Sequence, residues 1–491
     1  RAGLYIFGQN RHRSAYDHDG DGYSEIPKLH GQTIGFRSFL KTTTYSKLTF
    51  EYHHMEEFRR GGDLLNRPPH EANVAEQTEH SINGGGLKFD YFSPNENHRF
   101  NVFASAQHIN RDSYYGPGDR DPLDAYGNTT DLNWMAGSQY VYSFGKCIFM
   151  PSDLTAGIEF NQDKLEDNMW GYNRTVDQKV NIGSAFLQNE WKNDHWGFLI
   201  GGRLDKHNLI DHVIFSPRAN LRYNPTENIN LRFSYSSGFR APQAFDEDLH
   251  VENVGGNVAM VELADNLKEE RSQSLSASAD IYHRFGAFQV NFLVEGFYTK
   301  LSDVFALTDG EVVDGILTRT RHNASGAQVL GLTLEGKMAY LNKIQVQAGV
   351  TLQQSHYSKP HIWNKEAPAV KKMMRTPNTY GYFTATYTPI KPLSIALSGT
   401  YTGSMLVPHE PVPGFLENPI TVNTKDFFDI GLKAAYDFKL YKSMNLQLNA
   451  GIQNIFNAYQ DDFDKGADRD SGYIYGPSLP RSFFAGVKIS Y

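Results

Sequence analysis

The sequence predicts an all-β protein, a transmembrane antiparallel β-barrel that takes in residues 1–491 as one domain. Three observations carry that prediction. Segments of about ten residues alternate apolar and polar side chains, the period of a strand with two unlike faces. Tight turns and long polar loops follow one another between these segments, as the two rims of a bacterial barrel do. The chain closes on PRSFFAGVKISY, Pro480 to Tyr491, a strand that ends on an aromatic at the carboxyl terminus.

Composition narrows the class. Hydrophobic residues make up 40% of the 491, and no apolar run approaches the roughly 18 residues of a membrane helix. That excludes helical spans only, because a barrel strand needs about 9–11 residues with alternate ones apolar. The 28 Tyr and 32 Phe suit strands and the aromatic girdles of a bilayer-spanning barrel. Cys147 is the single cysteine, which excludes an intrachain disulfide and a cysteine metal knuckle. The net charge of −8, with no basic cluster, speaks against nucleic acid as a partner. There is no P-loop, no G-x-S-x-G and no H-E-x-x-H, so no enzyme is expected. The opening RAGLYIF already reads as strand, which leads us to expect a chain truncated at its N-terminus.

Taken in order, the strands repeat one design. Phe288, Val290, Phe292 and Val294 alternate with Gln289, Asn291, Leu293 and Glu295. Ile344 to Gln353, Leu393 to Tyr401 and Asn445 to Ile452 do the same. The polar parity is mostly uncharged Gln, Asn, Ser, Thr and Gly, which fits a water-filled lumen behind an apolar outer band. Short turns fall at Thr43–Ser46, Ser93–Asn97, Asn224–Asn228, Gly286–Ala287, Asn342–Lys343 and Pro389–Pro392. Long loops fall near Arg13–His30, Phe58–His80, Arg111–Thr130, Phe239–Glu270, Ser302–Ser325, Ser358–Pro377, Ser404–Lys425 and Ala458–Leu479. Strict alternation of the two implies short periplasmic turns, long external loops and roughly 20 strands, an even number. A propeller would show a blade repeat of about 40–45 residues, and none is present. In the terminal strand Phe483, Ala485, Val487, Ile489 and Tyr491 share one parity. Such an edge is safe where it pairs back to the first strand.

Chemistry-bearing residues concentrate in the external loops. Asp17, Asp19 and Asp21 of DHDGDGYSE stand at i, i+2 and i+4, with Glu25 four further on. Oxygen ligands at that spacing suit Ca²⁺, although the bidentate glutamate of an EF-hand is replaced at its position by Lys28. The plainer alternative is a solvated acidic turn. Arg59, Arg60 and Arg67 offer guanidinium forks to an anionic ligand. Tyr114, Tyr115, Trp170, Tyr172, Trp363 and Phe415 offer rings for stacking or for the outer girdle. His53, His54, His70, His80, His356 and His361, with Met55, Met373 and Met374, form tracts that suit a transition metal or its chelate. His53 and His54 point to opposite faces of a strand and cannot share one ion. An ordinary hydrogen-bonded role is the simpler reading of each.

Four stretches in order, SGFRAP at Ser237–Pro242, DNLKEERS at Asp265–Ser272, NIFNAY at Asn454–Tyr459 and GPSLPRSF at Gly476–Phe483, resemble the C-terminal barrel of TonB-dependent outer-membrane receptors. EFRRGGD at Glu57–Asp63 looks like the Bacteroidetes branch. The resemblance covers essentially the whole chain, with both prolines of the family's NPxLKPE stretch absent. It implies a barrel of 22 strands, of which about 20 are visible, with the N-terminal plug domain and first hairpin missing. It further implies active uptake of a scarce metal chelate (siderophore-iron, haem or cobalamin) through the outer membrane. The alternatives are import of another vitamin or a saccharide by the same machinery, and a passive porin or adhesin barrel. The implied partners are the lipid bilayer, the small metal-chelate ligand and the TonB complex reached through the plug, and a surface lipoprotein is left open. In haem receptors of the family a ligating His follows the FRAP stretch, and His250 holds that place. Its neighbours Asp246, Glu247 and Asp248 are an awkward setting for haem propionates. Arg240 and Glu270 read as structural.

Overall fold

The computed structural model describes all residues except 118–121, 246–248, 250–257, 314–315, 442 and 478. In chain order its strands begin with β1 Ala2–Arg13, β2 Ser24–Lys41, β3 Ser46–Gly62, β4 Val74–Phe92, β5 His98–Pro117, β6 Tyr126–Cys147 and β7 Met150–Met169. There follow β8 Arg174–Lys192, β9 Trp196–His207, β10 Ile214–Thr226, β11 Ile229–Arg240, β12 Val258–Leu263, β13 Glu270–Phe285 and β14 Phe288–Ser302. Next come β15 Phe305–Val313, β16 Ile316–Asn323, β17 Ala327–Tyr340, β18 Ile344–His361, β19 Val370–Lys372 and β20 Thr379–Ile390. The last are β21 Leu393–Thr402, β22 Leu406–His409, β23 Ile420–Asn423, β24 Phe427–Tyr441, β25 Met444–Gln453 and β26 Ser482–Ser490. β12, β15, β16, β19, β22 and β23 belong to the connections. The other twenty form the wall, joined in sequence by antiparallel ladders. Among the described residues no helix is long and apolar enough to cross a membrane. Crossing falls to the strands.

The two faces of the wall separate by chemistry. Across β7 to β10 the registers align Ile158 with Ala185, Leu187 with Gly202, and Ile200 with Ala219 on one face. The opposite face aligns Glu159 with Ser184, Gln188 with Gly201, and Arg203 with Ser216. Ile158, Leu187 and Ile200 are 62%, 56% and 63% exposed. A continuous apolar surface of this kind needs a partner other than water, and lipid supplies it. Trp196 stacks on Phe198 at 5.7 Å and on Tyr223 at 4.2 Å, and Phe149 stacks on Trp191 at 5.6 Å. These rings lie beside the short turns and form an aromatic girdle at that rim.

Three expectations need correction. The strands are longer than ten residues: β6 runs 22 and β5 and β7 run 20 each. About 9–11 tilted residues span the bilayer, so the rest stand above it. Much of the predicted loops Phe58–His80 and Arg111–Thr130 is therefore strand. The alternation of loop lengths is not strict, since β7 and β8 are joined by 170–173 and β9 and β10 by 208–213. There the raised wall itself takes the place of a loop. Finally, β26 does not pair back to β1. Among the described residues β1 pairs only with β2 and β26 only with β25. The wall holds twenty strands against the 22 implied by the resemblance, and both of its outer edges keep unpaired backbone groups.

Candidate ligand-binding site

The site lies where β2 to β5 rise above the membrane. β3 turns Met55, Glu57, Arg59 and Gly61 to the lumen, and β4 adds Glu76, Thr78, His80 and Ile82. Loop segments carrying Arg319, Arg375, Glu410, Arg469 and Asp470 come over this surface from the far half of the chain. Together they line a cavity of about 780 Å³.

Arginines dominate its electrostatics. Arg59 pairs with Glu57 at 2.6 Å, Arg319 with Glu410 at 3.0 Å, and Arg111 approaches the buried Asp167 at 3.7 Å. Arg469 holds Asp21 at 2.6 Å and Glu25 at 2.8 Å. Arg375 differs. Its guanidinium donates to the carbonyls of Ile474, at 3.1 Å, and Gly472. Among the described residues no carboxylate pairs with it. Its side chain is solvent-exposed; crowding by the surrounding loops still pushes its pKa down, with Asp470 opposing, but an arginine keeps its proton in a protein. Its backbone sits at φ +54°, a left-handed conformation that disfavours a side-chain-bearing residue by about 1–2 kcal/mol.

Of the residues singled out from sequence, Arg59 lines the cavity. Arg60 does not, because it is 1% exposed and donates to the carbonyls of Gly61 and, at 3.0 Å, Asp63. Tyr114 and Tyr115 are 0% and 1% exposed. They form a small core with Ala72, Ala75, Met169, Tyr172 and Met260 that supports the loops, so stacking on a ligand is not open to them here. Trp363 is half-buried and outside the cavity lining. His250 lies outside the described residues. His53 faces the lumen in a smaller hollow beside Glu51 and Gly84, while His54 bonds Asn83 at 3.0 Å. His80 is the histidine of the main cavity. Arg240 and Glu270 pair at 3.8 Å, and Arg240 lies 3.9 Å from the centroid of the Phe245 ring.

The four acidic residues of the first external loop do come together: one carboxylate oxygen from each of Asp17, Asp19, Asp21 and Glu25 lies within 4.8 Å of the others. Gly20 and Gly22, at φ +74° and +93°, let the chain wrap this tightly. Asp17 accepts from the Gly20 and Gly22 amides at 2.7 and 2.9 Å. Burial pushes the Asp21 pKa up, but the amides of Gly466 and Tyr23 and the Arg469 guanidinium outweigh it and hold the carboxyl below its usual range. Sequence reading missed Arg111, Arg319, Arg375 and Arg469. They are far apart in the chain, and only the fold collects them.

A lipid-faced antiparallel wall with a charged cavity under its external loops defines an outer-membrane transport barrel. The family model described as TonB dependent receptor-like, beta-barrel matches residues 4–455: the chain belongs to that family and sits in the bacterial outer membrane. Among solved structures it is similar to the siderophore receptor PirA from Acinetobacter baumannii, with a TM-score of 0.75 at 14% identity, covering 99% of this chain and 75% of that one. The ferric enterobactin receptor PfeA from Pseudomonas aeruginosa gives 0.74 at 14%, covering 99% and 75%. The ferric-catecholate import receptor Fiu from E. coli K12 gives 0.72 at 13%, covering 99% and 77%. At these identities the likeness is one of fold. No curated protein matches the sequence.

Proposed function

We propose that this barrel takes up an anionic metal chelate, a ferric siderophore in the first place, and that the arginine cavity is where the chelate is captured from outside. The observation that carries this is Arg375, a guanidinium held at the cavity wall by backbone carbonyls alone, beside four further arginines. The Arg375 side chain is open to solvent at that wall, so its charge is available to an anionic ligand through charge-assisted hydrogen bonds. The similar siderophore and ferric-catecholate receptors support the same ligand class. In the family, release into the periplasm is driven by the TonB complex. The barrel contributes recognition and a polar path and needs no covalent chemistry.

The test is an absorption titration of the protein in detergent with a ferric tris-catecholate, haemin and a cobalamin, each coloured, at low and high salt. A saturable complex with the ferric catecholate, weakened by salt, is the expected outcome. Preference for cobalamin, or affinity that ignores salt, would overturn the anionic-chelate reading. Haemin binding that survives Arg375→Gln would move the site away from this cavity.

A further inference from the structure

We propose that the two-residue turn between β6 and β7, tipped by Ile148 and Phe149, folds outward and inserts into the periplasmic leaflet of the membrane, as a foot beneath the longest hairpin of the wall. Ile148 is 81% exposed and Phe149 53%, and the flanking Cys147 and Met150 are half-buried. The neighbouring short turns are polar: Thr42 to Thr44 between β2 and β3, and Asn193 to His195 between β8 and β9. Backbone conformation does not explain the difference. A two-residue hairpin turn needs positive φ, which asparagine or glycine supplies without strain. Ile148 sits at φ +65°, where a β-branched residue is an outlier. What isoleucine brings to this place is apolar surface.

The direction of the turn decides what meets that surface. The Trp191 indole of β8 donates to the Cys147 carbonyl at 3.0 Å, which draws the turn across the outer side of its neighbouring strand. Phe149 then stacks on Trp191 at 5.6 Å, with the rings 18° apart, and meets Phe198 of β9 edge-on at 6.1 Å. Trp191 and Phe198 are opposed in the β8–β9 ladder and share the face of Leu187 and Ile200, which is the lipid face. The tip is therefore continuous with the aromatic girdle. Girdle rings sit at the headgroup level, and an apolar segment at that level gains by burial at the boundary of headgroups and acyl chains. Lys146, exposed beside the turn, suits the phosphates there. β6 and β7 are 22 and 20 residues long, and Met169 at the upper end of β7 belongs to the core that supports the external loops. A foot at the base of this hairpin holds the raised wall at a fixed height in the bilayer.

Fluorescence quenching tests the foot. A nitrobenzoxadiazole label is placed on the tip through Ile148→Cys and on a polar turn through Thr44→Cys, each combined with Cys147→Ser. Both proteins are reconstituted in vesicles of phosphatidylethanolamine and phosphatidylglycerol with iodide on both sides. The shift of each folded barrel on an unboiled gel checks that the variants are intact. Insertion by the about 5–10 Å of an interfacial apolar segment should leave the tip label about fivefold less open to iodide than the label at 44. Lipid carrying a nitroxide high on its acyl chain should quench the tip label and spare the other. Equal quenching by iodide at the two positions overturns the proposal. A tip label hidden from iodide yet untouched by the nitroxide lipid overturns it as well, and assigns the apolar tip to a protein contact. Where Ile148→Cys does not fold, the same label on Cys147 of the unmodified chain, the single cysteine, reads the same turn.

Discussion

Arg375 and Glu269 show how the same ionic chemistry serves ligand and fold. Arg375 has carbonyls for partners and a cavity in front of it. Arg375→Gln keeps a donor but loses the charge, and charge-assisted hydrogen bonds exceed neutral ones by about 1–2 kcal/mol. Affinity for a ferric tris-catecholate should fall about tenfold by titration, with the folded barrel's gel shift unchanged. Glu269, by contrast, is 8% exposed and accepts from Arg271 at 2.7 Å, with His212 at 3.0 Å. Burial raises its pKa, but Arg271, chiefly, and His212 reverse that and hold it below the ordinary 4.5. A carboxyl whose pKa is lower in the folded state stabilises above its unfolded value, and that contribution drains away as pH falls through the folded one. Both partners are solvent-accessible, so the term is about 1 kcal/mol. In urea unfolding the wild type should exceed Glu269→Gln by that amount at pH 6, with the difference closing below about pH 4. A difference that does not shrink as the pH is lowered from 6 contradicts the assignment.

At the scale of elements, the rim of the cavity depends on how β3 turns into β4. Gly62 ends β3 at φ +98°, and a Cβ placed there would meet the Val74 carbonyl at 2.0 Å. Asp63 then accepts from the Asn73 and Val74 amides at 3.3 and 2.9 Å. Gly62→Ala should therefore open this connection at a cost of about 1–3 kcal/mol. Limited proteolysis should cut 63–73 faster, and ligand affinity should drop together with it. Cutting at the wild-type rate would show that the turn absorbs the methyl. The strands themselves were legible because a period of two survives any loop sequence, as in Phe483, Val487 and Ile489, which are 75%, 67% and 67% exposed. Strand ends were not legible. Above the membrane β3 to β6 no longer meet lipid on one face and water on the other, since the adjacent Tyr114 and Tyr115 of β5 are both buried, and the pattern that marks a strand fades while the ladder continues. The cavity was legible at Arg59, Met55, His80 and Glu25, but not at its other four arginines. The rings of Tyr114 and Tyr115 look the same in sequence whether they face a ligand or fill a loop core. The family stretches mark scaffold: Asn454, 2% exposed, bonds the backbone of Ala458 and Leu479.

Across the whole molecule, the loops join what the ladders leave apart. β1 and β26 share no register, yet the connection after β1 meets the connection before β26. His18 packs on Tyr459 at 4.1 Å, and Asp21 and Glu25 grip Arg469. The first and last strands are thus tied at the external rim. The membrane band must supply the remaining cohesion, and it does so through the outward rows. Ile200 tests this. It lies four residues above the start of β9, is 63% exposed and faces outward with Ala219. A strand tilted by about 45° rises roughly 2.3 Å per residue, which places Ile200 inside an apolar band about 25 Å tall. Asn220, one residue further along β10, aligns with Leu199 on the lumen face. Arginine at a lipid-facing site near the midplane costs about 2–4 kcal/mol, whereas the lumen is wet. Ile200→Arg should lower unfolding stability in lipid vesicles by that amount, and Asn220→Arg should leave it within about 1 kcal/mol. Equal losses at the two positions would mean that the wall does not separate lipid from water there, since the two variants carry the same charge a few ångströms apart and differ only in the face that receives it.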